Sequence, residues 1–133
     1  MHFSKEMLDT KKRLEEMGHM IEIPCDTQEF AENADKTTDN HEENYRHCIE
    51  NDIIRKSFNS IAESEAVLIL NYPKNGIEGY VGASALMEIG LAYFLNKKIF
   101  LLHPPPPVES AKYSHEIFIM QPIILGGDLT KIE

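Results

Sequence analysis

Residues 66–102 hold two short apolar runs, AVLILN and KIFLL, separated by a turn-rich loop and an almost wholly apolar segment, ASALMEIGLAYFLN. Runs of this length, closed by polar Glu63–Glu65 on one side and by NYPKNG on the other, are expected as strands covered on both faces. The segment between them is long enough for a helix, predicted from Ala83 to Asn96. Two such strands joined through a helix are a parallel pair, because antiparallel neighbours need only a hairpin. This strand–helix–strand crossover limits the fold more than any other feature of the chain.

The rest of the sequence extends the same alternation. Over residues 4–17, Met7, Leu8, Lys11, Leu14 and Met17 recur at helical spacing, with Ser4 placed to cap the start and Gly18 to stop the helix. HMIEIP reads as a short strand closed by Pro24, and residues 25–43 as a long polar, acidic connection. A long helix is predicted over residues 44–64, with Tyr45, Ile49, Ile53 or Ile54, Phe58 and Ile61 on one side. HPPPP at 103–107 is a stiff extended exit from its strand, since proline donates no ladder hydrogen bond. YSHEIFIM then reads as a short helix and PIILGGDL as a final short strand ending at Gly126 and Gly127. The expectation is one α/β domain over residues 1–133, a parallel sheet with helices on both faces. Its ligand site belongs at the carboxyl ends of the strands, in the loops that begin at Cys25, Asn71, His103 and Gly126.

Charge narrows the partners. Thirteen Lys and Arg against 22 Asp and Glu give a net charge of −9, which opposes non-specific attraction to nucleic acid and anionic membranes. No apolar run approaches the roughly 20 residues of a membrane helix, and no charged-then-apolar leader opens the chain. The two cysteines, Cys25 and Cys48, are too few for a disulfide framework and fit a reducing compartment, so the expected location is cytoplasmic. His41, His47 and Cys48 lack metal-site spacing, and no metal or cofactor is called for.

The chemistry concentrates around one carboxylate. Gly76, Gly79 and Gly82 allow a tight backbone path ahead of a helix whose first amides can receive an oxygen-rich group. Within that helix Ala85, Leu86, Ile89 and Tyr93 share one side, while Ser84, Glu88, Leu91 and Leu95 share another, so no continuous solvent stripe is expected. Carboxylates are seldom buried without a partner, so Glu88 is expected to face a pocket or a second protein surface. If burial dominates, Glu88 stays protonated and serves as a general acid. If the helix terminus and nearby donors dominate, it remains an anion that can attack or stabilise a developing cation. Either role suits an anomeric carbon; pairing across an oligomer interface is the structural alternative. Asn71, Tyr72, Gly79, Tyr80, Gly82 and Ser84 are the candidate pocket residues, with Glu116 and Asp128 as possible C-terminal contributors.

Three stretches, MHFSKEMLDTKKRLEEMGHMIEIP, SIAESEAVLILN and GYVGASALMEIGLAYFLNKKIFLL, together resemble the nucleoside 2-deoxyribosyltransferase-like superfamily, which includes deoxynucleoside monophosphate N-glycosidases. In the last of them the loop, Glu88, Gly90, Ala92 and the next strand fall in the superfamily's order. The resemblance implies a flavodoxin-like domain, usually a homo-oligomer, that binds a small-molecule nucleoside or nucleotide and uses Glu88 as nucleophile toward C1′. Two departures accompany it. Met1, His2 and Phe3 stand where the tail of an opening Gly-Ser loop belongs, so the usual first strand is expected to be missing, either because the chain starts late relative to its relatives or because another segment or subunit supplies or replaces the strand. Gly82 occupies the place where active relatives carry Asp or Ser to hold the sugar or phosphate.

Overall fold

A computed structural model describes residues 4–22, 46 and 49–132. The chain divides into two compact units, Met1–Ser60 and Ile61–Glu133. In the first, helix α1 spans Ser4–Glu16. Its stripe is met in Leu14, which is buried, and in half-buried Met7, Leu8 and Lys11, whereas Met17 is exposed beyond the helix end. The helix closes as its residues predict: the Gly18 N–H donates to the Glu15 carbonyl and the His19 N–H to that of Leu14, both at 3.0 Å.

Two expectations are corrected here. Residues 19–22 form no strand, while Ile23 and Pro24 lie outside the described residues. Nor is the helix over 44–64 continuous. Asn51 and Asp52 form a turn with Asp52 at φ 51°, a left-handed conformation that interrupts helical bonding, and helix α2 runs from Ile53 to Glu63. On α2 it is Ile53 that is half-buried, while Ile54 is exposed. The connection at 25–43, with Cys25 and His41, and residues Asn44, Tyr45, His47 and Cys48 also lie outside the described residues.

The second unit is the expected crossover protein. Strand β1 (Ala66–Ile69), helix α3 (Ala83–Phe94), strand β2 (Lys98–Leu101), helix α4 (Ser114–Met120) and strand β3 (Ile123–Ile124) follow in order, with a 3-10 turn at Leu129–Lys131. The sheet is α/β in character: three strands in the order β1-β2-β3, both pairs parallel, with Ala66 beside Lys98 and Phe100 beside Ile123. Hydrogen bonding continues past the strand ends. Leu102 N–H donates to Ile69 O at 3.0 Å, Leu125 N–H to Leu101 O at 2.9 Å, and Gly127 N–H to Leu102 O at 2.7 Å. Among the described residues no strand precedes β1.

Helix α3 packs on β1 and β2 and against α4. Two successive right-handed crossovers to adjacent strands put both helices on one face. Beneath them Val67, Ile69, Ile99, Leu101 and Ile124 meet Ile89 and Ala92 of α3 and Ile117 of α4, joined by Ile61 from the last turn of α2. Alternate strand residues point to the other face. There Phe100, Leu102 and Leu125 are buried too, while Ile123, beside Phe100, is exposed. No helix among the described residues is long and apolar enough to cross a membrane.

Candidate functional site at the carboxyl end of the sheet

Three chain exits meet where the parallel strands end, and one buried amide joins two of them. Asn71 is 1% exposed. Its Nδ2 donates to the carbonyl oxygens of His103 (2.6 Å), Gly79 (3.3 Å) and Pro104 (3.5 Å). Its Oδ1 accepts the His103 N–H at 2.9 Å. Asn71 therefore ties the glycine loop after β1 to the proline segment after β2. Its amide is committed to backbone groups, so its contribution to a site is to hold loops in place.

Gly79 shows why the loop needs glycine at that point. Its φ is +71°, and a Cβ there would run into the Pro104 carbonyl oxygen. The preceding loop folds on itself. Lys74 and Ile77 exchange both backbone hydrogen bonds, at 3.0 and 2.9 Å, around Asn75 (φ 54°) and Gly76 (φ 76°). This is a two-residue hairpin of the kind an Asn-Gly pair favours. Lys74 Nζ lies 5.2 Å from the Tyr80 ring centroid. Val81 is buried, and its N–H donates to the Tyr113 hydroxyl at 3.3 Å, fastening the end of the loop to the approach to α4.

The loop delivers the chain into α3. Gly82 is the N-cap, extended at φ −77°, ψ 171°, with no side-chain cap. The first-turn amides thus receive no hydrogen bond from a capping side chain. Ser84 is exposed in that turn, and Glu88, one turn further on the same side, is half-buried beside fully buried Ile89. The outward side of α3 departs from expectation: Met87, Tyr93 and Phe94 are 44, 53 and 79% exposed. A solvent face exists, and it is apolar. A helix layered on a sheet must turn its back to water whatever its composition.

Across from the glycine loop, Tyr72 and His103 meet edge to face, with centroids 5.9 Å apart and planes at 65°. His103 Cε1 lies 3.6 Å from where a Cβ would stand on Gly127. Asp128 caps the final 3-10 turn, its Oδ1 accepting from Thr130 N–H (3.0 Å) and Oγ1 (2.6 Å). Glu116 is exposed in the first turn of α4, and among the described residues its side chain makes no hydrogen bond or ion pair. The structure thus brings Asn71 to Gly79, Tyr72 to His103 and Tyr80 to Lys74, and puts Gly82, Ser84 and Glu88 along one helix start.

Sequence reasoning passed over Lys74, Tyr113 and His103 as site residues. The Asn-Gly pair was the available signal for the hairpin that carries Lys74, and the carboxyl end of the central strand was the signal for His103. Among the described residues no group of three metal-ligating side chains converges. A shallow depression of about 270 Å³, lined by Tyr93, Lys97, Lys98, Met120, Gln121 and Ile123, opens at the amino end of the sheet, away from Glu88's loop.

In comparisons with protein-family models, curated proteins and solved structures, no match to the chain was found.

Proposed function

We propose that the protein cleaves or transfers the N-glycosidic bond of a nucleoside, a deoxynucleoside or a 5′-monophosphate of either, with Glu88 as the nucleophile. The observation that carries this reading is the placement of Glu88. It is half-buried one turn into α3, directly behind a fixed glycine loop, at the end of a parallel sheet where α/β proteins take their ligands. In the reaction a Glu88 carboxylate oxygen bonds to C1′ as the C1′–N bond breaks, and the electron pair leaves with the base. Water or a second base then bonds to C1′ and releases the carboxylate. This chemistry calls for no cofactor. The uncapped first-turn amides and Ser84 suit the sugar or phosphate oxygens, taking over the role of the side chain that Gly82 lacks. Tyr80 and Tyr72 offer rings to a nucleobase. The protein works in the cytoplasm on this reading.

The test is base release from nucleosides and nucleoside 5′-monophosphates, followed chromatographically with and without an acceptor base. Glu88→Gln should reduce it by about 10³-fold or more while the far-ultraviolet circular dichroism is unchanged. No release by the unaltered protein from either substrate class would overturn the enzymatic reading and leave an inactive nucleotide-binding domain.

A second reading concerns assembly, and the exposed face of α3 favours it. Met87, Tyr93 and Phe94 present apolar surface, and mid-helix Gly90 has nothing within 4 Å of a Cβ built on it. Glycine inside a helix costs about 1 kcal/mol relative to alanine, and no contact among the described residues accounts for it here. Close approach of α3 from a second copy would use that gap. The homo-oligomer is compatible with catalysis, because pockets often form between subunits.

A further inference from the structure

His103 leaves the central strand at its carboxyl end, half-buried, with its main chain held on both sides. Its N–H donates to Asn71 Oδ1 at 2.9 Å, and its carbonyl accepts from Asn71 Nδ2 at 2.6 Å. The imidazole meets Tyr72 edge to face at 5.9 Å, and a Cβ built on Gly127 would lie 3.6 Å from its Cε1. Gly127 also brings no side chain that could compete for the ring. Among the described residues, no group hydrogen-bonds either ring nitrogen. Polar groups withdrawn from water are normally paired. Here a fixed, partly desolvated ring keeps two nitrogens available at the position where parallel sheets receive ligands.

We propose that His103 is a ligand-contacting residue that donates a hydrogen bond from a ring nitrogen to an acceptor on the nucleobase, with Tyr72 holding the ring. The identity of the ligand rests on the N-glycosidic reading above. The division of labour follows from the chemistry of each wall. The α3 start offers backbone amides and a hydroxyl, suited to sugar and phosphate oxygens. The β2 exit offers a donor on a flat ring beside a second ring, suited to the edge of a heteroaromatic base.

The test is a proton NMR titration of the full chain. The His103 Cε1–H signal is assigned by its loss in His103→Phe, and dAMP, dCMP and base-free 2-deoxyribose 5-phosphate are the probes. Both nucleotides should shift the His103 signal saturably. His103→Phe should bind them about tenfold more weakly, His103→Gln should recover part of the loss, and the base-free probe should bind all three proteins alike. A merely structural role would move the unfolding midpoint of His103→Phe and leave the ratio between nucleotide and base-free affinity unchanged, which overturns the proposal. Nucleotide binding with no response at His103 overturns it as well, while leaving the Glu88 chemistry standing. Absence of any nucleotide binding together with absence of base release removes both.

Discussion

At the scale of single residues, the site depends on two side-chain choices that do not touch chemistry. Asn71 holds three carbonyls and one N–H from inside the fold, and Gly79 permits the contact with Pro104 that the clamp requires. Asn71→Ala leaves the part-buried His103 N–H and its carbonyl without their Asn71 partner, and should cost about 2 kcal/mol or more, two groups at roughly 1–3 kcal/mol each. Gly79→Ala combines a left-handed φ with a collision against backbone, and should cost about 2 kcal/mol or more. Urea unfolding at unchanged m measures both; losses under about 0.5 kcal/mol would contradict the clamp. Gly82 provides the contrast. Its φ is ordinary, a Cβ would sit 3.8 Å from Tyr80 Cε1, and it caps α3 without a side chain. Gly82→Ser should therefore leave stability unchanged or raise it by a few tenths of a kcal/mol. On the enzymatic reading it should also lower KM by restoring a polar group beside the sugar. The sequence marked Asn71 and Gly79 as loop residues at the right end of the sheet. Their actual task was hidden, because the clamp joins positions 8 to 33 residues apart and no local pattern encodes it.

Helix α3 is the element on which most of the reading turns. Its start at Ala83 follows the glycine loop as expected, but it closes at Phe94, ahead of the expected Asn96, which adopts φ 58° just past the helix. There the Lys97 N–H donates to Ala92 O at 2.9 Å and the Asn96 N–H to Tyr93 O at 3.1 Å, a Schellman closure made with asparagine. That closure lets β2 begin at Lys98. What the composition concealed was orientation. A helix apolar on every side gives no periodic contrast, so burial of Ile89 and Ala92 and exposure of Met87 and Phe94 could not be separated by pattern. The exposed face carries its own prediction. The double substitution Met87→Glu and Phe94→Glu should convert an oligomer to a monomer by light scattering while retaining the helical spectrum. A wild-type protein that is monomeric at the same concentration would contradict assembly through this face. The absence of a strand at residues 19–22 belongs to this scale too: Ile21 and Ile23 flank Glu22 in the sequence, but a short apolar stretch supplies no neighbouring strand to pair with.

For the molecule as a whole, the parallel order of strands was readable because the connections left little freedom. Apolar strands separated by helix-length segments require crossovers, and a single handedness then stacks α3 and α4 on the same face. The consequence is functional. Every loop that leaves a strand in the forward direction reaches the same end of the sheet, so Tyr72, the glycine loop, His103 and Gly127 come together from segments far apart in sequence. Glu88 stands in the helix that starts there. The net charge of −9 makes the chain unsuited to polyanions, so on the N-glycosidic reading a small ligand is gripped by amides and individual donors instead of a basic field. On the N-glycosidic reading Glu88 becomes covalently attached to a sugar carbon. It is tested most directly by intact-protein and peptide mass spectrometry after rapid acid quenching with a 2′-fluoro-2′-deoxynucleotide, whose fluorine slows release of the sugar. A fluorodeoxyribosyl phosphate adduct is expected on the peptide containing Glu88, and none in Glu88→Gln. Rapid base release with the adduct on another residue, or with an identical rate in Glu88→Gln, would contradict it.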